Sequence, residues 1–340
     1  MDQVTTLTVE HADLLHTLAW DHYGMRLCTG SSDQKIKVWD KRGLSDKAPR
    51  PEGSPLHKLG EKSELVLNDA WKAHDSSVLK VCWAHPEYGQ VLASCSFDRS
   101  IRIWEEVESE PLWSGRRWVE RARLVDASGS VQDLDFAPNH LGLCLAACAS
   151  DGMVRIYVAE EVINLAHWPL VQQFEAAPAG AGKEADGNYC LAWCPSRFRR
   201  PALAVGCGPK HEVKIFRQDQ MGQWRAREVL EHSSVVHSVA WAPGLGRSYQ
   251  LIATGSKDNR VRIFKLTERM IGDDVSYDVS LVGNFVDHNA EVWRVSWNVT
   301  GTVLASSGDD GQVRLWKATH ANEWKPMSRI TSEHSAELDR

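Results

Sequence analysis

Short runs in which apolar and polar residues alternate recur along the whole chain, for example VLKVCW at residues 78–83 and IRIW at 101–104. Alternation with a period of two predicts strands that turn one face to a core. Asp-, Gly-, Asn- and Ser-containing turns separate the runs.

One composite pattern is repeated six times. It opens with a His or a small polar residue and continues as an alternating run ending in an aromatic side chain. A small-residue strand, an Asp-containing turn and a second alternating strand follow, and another aromatic closes the copy. The copies run from His11 to Trp39, His74 to Trp104, Ser128 to Tyr157, Asn188 to Phe216, His232 to Phe264 and His288 to Trp316. Asp33 to Trp39, Asp98 to Trp104, Asp151 to Tyr157, Asp258 to Phe264 and Asp310 to Trp316 are each six residues apart. The fourth copy carries Lys210 where the Asp would stand, so its turn must be held in another way.

Each gap after a closing aromatic offers one more strand. These are 65–72, 118–125, 170–175, 224–230 and 279–286, with 324–330 in the tail. The predicted fold is all-β: six four-stranded units whose closing aromatics pack between neighbouring sheets. One strand is left over, Val4–Glu10, leading into His11. If the last unit supplies its own outer strand, this orphan belongs to a seventh unit whose other three strands are missing. Such a unit would leave unpaired backbone groups and apolar faces, which three strands from another protein would satisfy. The alternative is a closed ring of six with a loop for a tail.

On this reading the edge that takes the partner is Val4, Thr5, Thr6, Leu7, Thr8 and Val9 on one side, with Leu7 and Val9 toward the shared core. Val313, Leu315, Trp324, Met327 and Ile330 form the other side. Proline at Leu7 is expected to remove partner binding while leaving most of the fold intact. The recurring polar set is His11, Asp33 and Trp39, then His74, Asp98 and Trp104, with Asp151, His232, Asp258, His288, Asp310 and Trp316. Ser, His and Asp together have the composition of a catalytic triad. A triad is needed once, whereas this set recurs in most copies, so a structural network that fixes each turn is the expected role.

Composition narrows the function. The 340 residues hold 39 Lys+Arg and 45 Asp+Glu, a net charge of −6, which argues against bulk electrostatic binding to nucleic acid or anionic lipid. No apolar stretch is long enough for a membrane-spanning helix, and MDQVTTLTVE has no basic region of a secretory signal. The 15 Trp demand a repeated structural role. None of the eight Cys forms a C-x-x-C pair, so buried free thiols in a reducing compartment are expected rather than zinc.

Arg116 and Arg117 between Trp113 and Trp118, and Arg197 to Arg200 around Phe198, have the composition of a single-strand nucleic-acid patch. Solvated loop faces are the expected reading, and Glu105, Glu106, Glu108 and Glu110 blunt the first. Asn298-Val299-Thr300 is a formal glycosylation sequon, expected to be unmodified. Gly206 and Gly208 lack the rest of a phosphate loop. Trp293 and Arg294 are rim residues with no convergent set around them. No nucleophile, metal or cofactor constellation is found; no cofactor is expected. Residues 41–64 and 176–187 read as flexible surface loops inside one domain spanning residues 1–340.

The repeats resemble the WD-repeat β-propeller family over essentially the whole chain; His11 and Trp39-Asp40 carry its leading His and closing Trp-Asp. HADLLHTLAWDHYGMRLCTGSSDQKIKVWD, SCSFDRSIRIWEE, NHLGLCLAACASDGMVRIY and HNAEVWRVSWNVTGTVLASSGDDGQVRLWKA resemble, more narrowly, the Seh-type nucleoporins. The likeness covers residues 7–330 and is weakest over 176–222. Their sister branch, the Sec-thirteen-type coat propellers, shares the first of these motifs.

The resemblance implies a six-bladed propeller with an open ring and no enzymatic activity. A helical-solenoid nucleoporin would complete the ring by donating a β-blade. The assembly implied is the Y-shaped outer-ring coat of the nuclear pore, with its other coat subunits as neighbours and a role in nucleocytoplasmic protein and mRNA transport. Association with the nuclear-envelope membrane would be indirect, and no direct nucleic-acid contact is expected. A nutrient-signalling complex in the cytoplasm or at the lysosomal or vacuolar surface is the family's second setting. A vesicle-coat propeller of the Sec-thirteen type is the alternative identity.

Overall fold

The computed structural model of the chain describes residues 9–41, 65–177, 189–271, 274–320 and 322–331. Among these residues the fold is all-β apart from short 3₁₀ turns. Twenty-four strands form six four-stranded antiparallel sheets, the blades of a six-bladed β-propeller. In every blade the strands follow one another in chain order. The strands gather into two compact units.

The first unit spans residues 1–136 with 158–169. Its first blade holds β1 (Leu15–Trp20), β2 (Arg26–Ser31), β3 (Lys35–Lys41) and β4 (Leu65–Lys72). The second blade holds β5 (Val78–Trp83), β6 (Val91–Ser96), β7 (Ile101–Glu106) and β8 (Trp118–Leu124), and β9 (Val131–Phe136) follows.

The second unit continues with β10 (Cys144–Ala149), β11 (Met153–Val158) and β12 (Leu170–Glu175). The fourth blade is β13 (Tyr189–Trp193), β14 (Ala202–Cys207), β15 (Glu212–Gln218) and β16 (Trp224–Glu231). The fifth is β17 (Val236–Trp241), β18 (Tyr249–Ser256), β19 (Val261–Ile271) and β20 (Asp274–Phe285). The sixth is β21 (Val292–Trp297), β22 (Val303–Gly308), β23 (Gln312–Ala318) and β24 (Trp324–Thr331).

Neighbouring blades seal face to face. Cys28, Ile36 and Val38 of the first blade pack on Val78, Val81, Leu92 and Trp104 of the second, with Trp71 stacked on Trp118 at 5.7 Å. The fit requires a missing side chain on the second strand. A Cβ at Gly30 would lie 2.8 Å from Val78 Cγ1, and one at Gly255 the same distance from Val292 Cγ1. Real Cβ atoms do not approach so closely, which is the reason for the small-residue strand read in the sequence.

A β-bulge falls just before the closing aromatic in all six blades, from Val38/Trp39 to Leu315/Trp316. The extra residue turns the ladder over, so side chains beyond it change face relative to their partners on the fourth strand.

The outer strands lie where the alternation predicts, within a residue or two, with one exception. The outer strand of the fifth blade starts at Asp274, not residue 279, because β19 itself runs on to Ile271 and pairs with it throughout. The orphan strand fares differently. Val4 to Thr8 lie outside the described residues. Val9 and Glu10 belong to no strand: both carbonyls accept the Lys37 ammonium, at 2.9 and 2.7 Å, and Glu10 has a φ of 45°. Residues 42–64 and 178–187 of the expected loops also lie outside the described residues.

Candidate functional site: a repeated network and two uncovered blade faces

The recurring polar residues meet in three blades. In the second, Trp104 Nε1 donates to Ser94 Oγ (2.9 Å), which lies 2.8 Å from His74 Nε2, and His74 Nδ1 lies 3.0 Å from Asp98. A carboxylate only accepts, so Nδ1 carries the proton and Nε2 takes the Ser94 hydroxyl. In the first blade, Trp39 donates to Thr29 Oγ1 (3.3 Å), which is 3.0 Å from His11 Nε2, and His11 Nδ1 is 2.9 Å from Asp33. The sixth repeats the arrangement: Trp316 to Ser306 at 2.8 Å, Ser306 to His288 at 2.7 Å, His288 to Asp310 at 2.9 Å. Each aspartate also receives the N–H of its own turn, from Lys35, Ser100 or Gln312.

The titrations follow from this. Burial pushes the His11 and His74 rings below their ordinary value, against the pull of their aspartates. Burial alone would raise the aspartates; the His and N–H donors outweigh it and hold Asp33, Asp98 and Asp310 low. The hydroxyl that a triad would use as nucleophile is occupied: Ser94 is fully buried and capped by the indole N–H of Trp104.

Elsewhere the set is dismantled. In the fifth blade His232 Nε2 reaches Thr254 (2.8 Å), but Nδ1 turns to the Leu230 carbonyl (3.0 Å) and Asp258 pairs with Arg262. Phe264, with no N–H to donate, meets the His232 ring edge-on at 5.6 Å. Burial takes His232 down to about 4. In the third blade Asp151 pairs with Arg155 at 2.7 Å. In the fourth, Lys210 ends a short 3₁₀ turn closed by His211 in the left-handed region at φ 57°, and the His211 carbonyl takes the N–H of His232.

The second feature is what the blades leave uncovered. Val81, Leu134, Leu191, Val239 and Val295 occupy equivalent positions on the first strands of blades two to six, and all are buried. Val81 is 1% exposed and Val295 6%. The equivalent residue of the first blade, Leu18, is 58% exposed, and Leu15 and Trp20 beside it are exposed too. The opposite face of β1 is occupied: Thr17 Oγ1 accepts the Val81 N–H (3.3 Å) and the Ala19 carbonyl accepts Trp83 Nε1 (3.0 Å).

The sixth blade has an uncovered face of its own. Val313 and Ile330 are paired across β23 and β24, and both are exposed. The equivalents of Val313, which are Ile36, Ile101, Val154, Val213 and Val261, are all buried. Leu315 lies half-buried on the same face, and Met327 at the bulge is exposed. Trp324 does not join them: it pairs with Ala318 beyond the bulge and packs edge-on against Trp297 at 5.4 Å, on the side that faces the fifth blade. Leu15, Leu18 and Trp20 were not among the residues singled out from sequence. The available signal was LLHTLAW itself, which reads like VLKVCW but opens the chain's first blade.

The other candidates resolve as structure. Arg117 is tied to Glu106 (2.6 Å), Trp118 is buried, and Trp113 donates to the Leu67 carbonyl. The cysteines are free thiols, all buried except the half-buried Cys82; burial pushes Cys194 and Cys207 up to about 11.

Comparison with known proteins extends this geometry. The WD domain, G-beta repeat family matches residues 1–40, 66–105, 225–265 and 279–317, which contain the repeat cores of the four blades with a leading His and omit the cores of the third and fourth. The chain is 39% identical to Nucleoporin SEH1 of Saccharomyces cerevisiae over 360 residues, covering 95% of this chain and 98% of that protein. It is 40% identical to human Nucleoporin SEH1 over 335 residues, covering 94% and 86%, and 37% identical to nucleoporin seh1 of Schizosaccharomyces pombe over 358 residues, covering 99% of each.

Proposed function

Because the chain belongs to the Seh1-type family of WD-repeat nucleoporins, we propose that it is a non-enzymatic scaffold of the nuclear pore coat whose propeller is completed by a β-blade donated by a helical-solenoid nucleoporin. The observation that carries this reading is the uncovered face of β1: Leu15, Leu18 and Trp20 are exposed where every other blade buries the equivalent Leu18 position. A donated blade has two faces. One would cover Leu18 and Trp20, the other Val313, Leu315 and Ile330, and its strands would pair beside Val4–Thr8. Covering the part that each of these side chains still exposes would stabilise the complex by up to about 1.5 kcal/mol before the cost of association. Coat subunits of the Y-shaped assembly would be the further neighbours, with the nuclear envelope as location.

The test is affinity purification of the tagged chain from its own cells, with mass spectrometry of stoichiometric partners. Helical outer-ring nucleoporins are the expected recovery. Vesicle-coat subunits of the Sec-thirteen setting, or nutrient-signalling subunits, would keep the blade mechanism and change the assembly. The chain alone, stable and monomeric, would overturn both.

A further inference from the structure

In the fourth, fifth and sixth blades, the turns that join first to second strands lie at one end of their blades, and each of the three carries an exposed large apolar side chain at its tip. Phe198 in the fourth blade is 91% exposed and Val299 in the sixth 86%; Leu245 in the fifth is exposed as well. Met221, in the neighbouring β15–β16 turn of the fourth blade, is a further exposed tip. It lies at the same end, because Ala202 pairs with Arg217 and Gln218 with Trp224.

The turns form one continuous rim. Arg247 donates to the Gly301 carbonyl at 3.0 Å, and Gly301 is φ 63° with Pro243 O where a Cβ would stand, so the fifth and sixth turns touch. Arg247 also lies over the Tyr249 ring, as does Lys265 of β19 at 4.5 Å. Arg199 reaches Glu268 of the same strand at 2.7 Å, joining the fourth turn to the fifth blade.

The turn of the fourth blade is basic: Arg197 and Arg200 flank Phe198 on its exposed side, while Glu268 is paired with Arg199, Asp219 with Arg225 at 2.9 Å and Asp278 with Arg269 at 3.8 Å. A rigid protein partner would need a separate socket for each tip. A bilayer needs none: its interface accepts isolated apolar wedges at any spacing, and phosphates at the same depth accept arginines.

We propose that this rim is a peripheral membrane contact, in which Phe198, Met221, Leu245 and Val299 enter the headgroup boundary of an anionic bilayer and Arg197 and Arg200 pair with its phosphates. No helix among the described residues is long and apolar enough to cross a membrane, so the contact would be superficial. The inference goes beyond the scaffold reading above, in which the chain reaches the envelope only through its partners.

The test is flotation of the full chain with vesicles of phosphatidylcholine, alone or with phosphatidylserine. Three proteins are compared: wild type, Phe198→Ser with Leu245→Ser, and Arg197→Glu with Arg200→Glu. All the substituted side chains but the turn backbone are solvent-facing, so an unchanged thermal melt is the fold control. Wild type is expected to float with the anionic vesicles. The serine pair should cost about tenfold, and the glutamate pair at least tenfold, about fivefold for each lost arginine. Equal flotation of all three, or none by the wild type, would overturn the proposal. Loss of a co-purifying protein in the serine pair without wild-type flotation would reassign the rim to protein docking. Capture of the blade-donating partner is read separately, so failure here leaves that reading standing.

Discussion

β1 of the first blade and β21 of the sixth carry the same message in sequence. Leu15, Leu18 and Trp20 correspond to Val292, Val295 and Trp297, with the same bulge after the first of them and the same cross-strand partners, Leu18 opposite Thr29 and Val295 opposite Ser306. Their surroundings differ completely. Val295 is buried and its N–H lies 3.3 Å from Ser238 Oγ, while Trp297 donates to the Ala240 carbonyl at 3.1 Å. Leu18 and Trp20 face solvent. Alternation encodes the ability to be buried; whether burial happens depends on which sheet lies next door. Among the described residues the face of β1 is apolar and exposed, the kind of surface on which the proposed donated blade would act.

The largest effect that separates the two strands comes from placing a charge on each. Val295→Asp would bury a carboxylate with no partner, costing about 3 kcal/mol or more and lowering the melting temperature by roughly 5–10 °C. Leu18→Asp should change the melt of the isolated chain by no more than about 0.5 kcal/mol and yet remove the blade-donating partner from the purified complex. Thermal melts of both variants, with a partner pull-down of the second, check this. A Leu18→Asp chain that unfolds like Val295→Asp would mean that the chain covers this face itself.

Most of the fold was legible because repetition multiplies weak signals. A single alternating run is ambiguous between a strand and a buried helix segment, whereas six copies, five of them with Asp and aromatic six residues apart, are not. The parts that were not legible have local causes. The early start of β20 depends on the length of its partner β19, which alternation in 274–279 does not report. Trp324 was placed with Val313 and Leu315, but the bulge at Leu315/Trp316 reverses the face and sends it against Trp297. Val9 and Glu10 read as strand, yet their carbonyls are taken by the Lys37 ammonium, a contact of a distant side chain. Leu18 was missed because its environment is a matter of neighbours and not of pattern.

The repeated network allows a second, smaller contrast. Removing His74 leaves Asp98 without its ring donor and the Ser94 hydroxyl without its acceptor, beside a ring-sized void. Removing His232 disturbs less, because Asp258 is held by Arg262 and not by the ring. His74→Ala should therefore cost about 3 kcal/mol and His232→Ala about 1.5 kcal/mol, read as melting temperatures in parallel scans. Equal drops would show that the His–Asp bond adds nothing beyond the packing of the ring.

Acid gives the smallest and most specific contrast. Burial lowers His232 from 6.5 to about 4, with no bonded aspartate to oppose it. Between those values the unfolded chain binds a proton that the folded chain refuses, so the stability this residue contributes is complete above 6.5 and is lost as pH falls toward 4. The depressed carboxyls of Asp33 and Asp310 act in a lower window: their contribution is whole above the usual carboxylate value and fades only as pH falls through their lowered ones. Burial raises Asp40 and Glu228 toward the same mild-acid range, so the ring is isolated by comparing the wild type with a variant that lacks it. From about pH 7 to pH 5.5 the wild type should lose about 1 kcal/mol more than His232→Gln. Melting temperatures across that range give the two slopes. Parallel slopes would mean that the His232 ring takes up its proton as readily in the folded chain as in the unfolded one, and that the fifth blade, although it lacks the His–Asp bond, shelters its ring no differently from water.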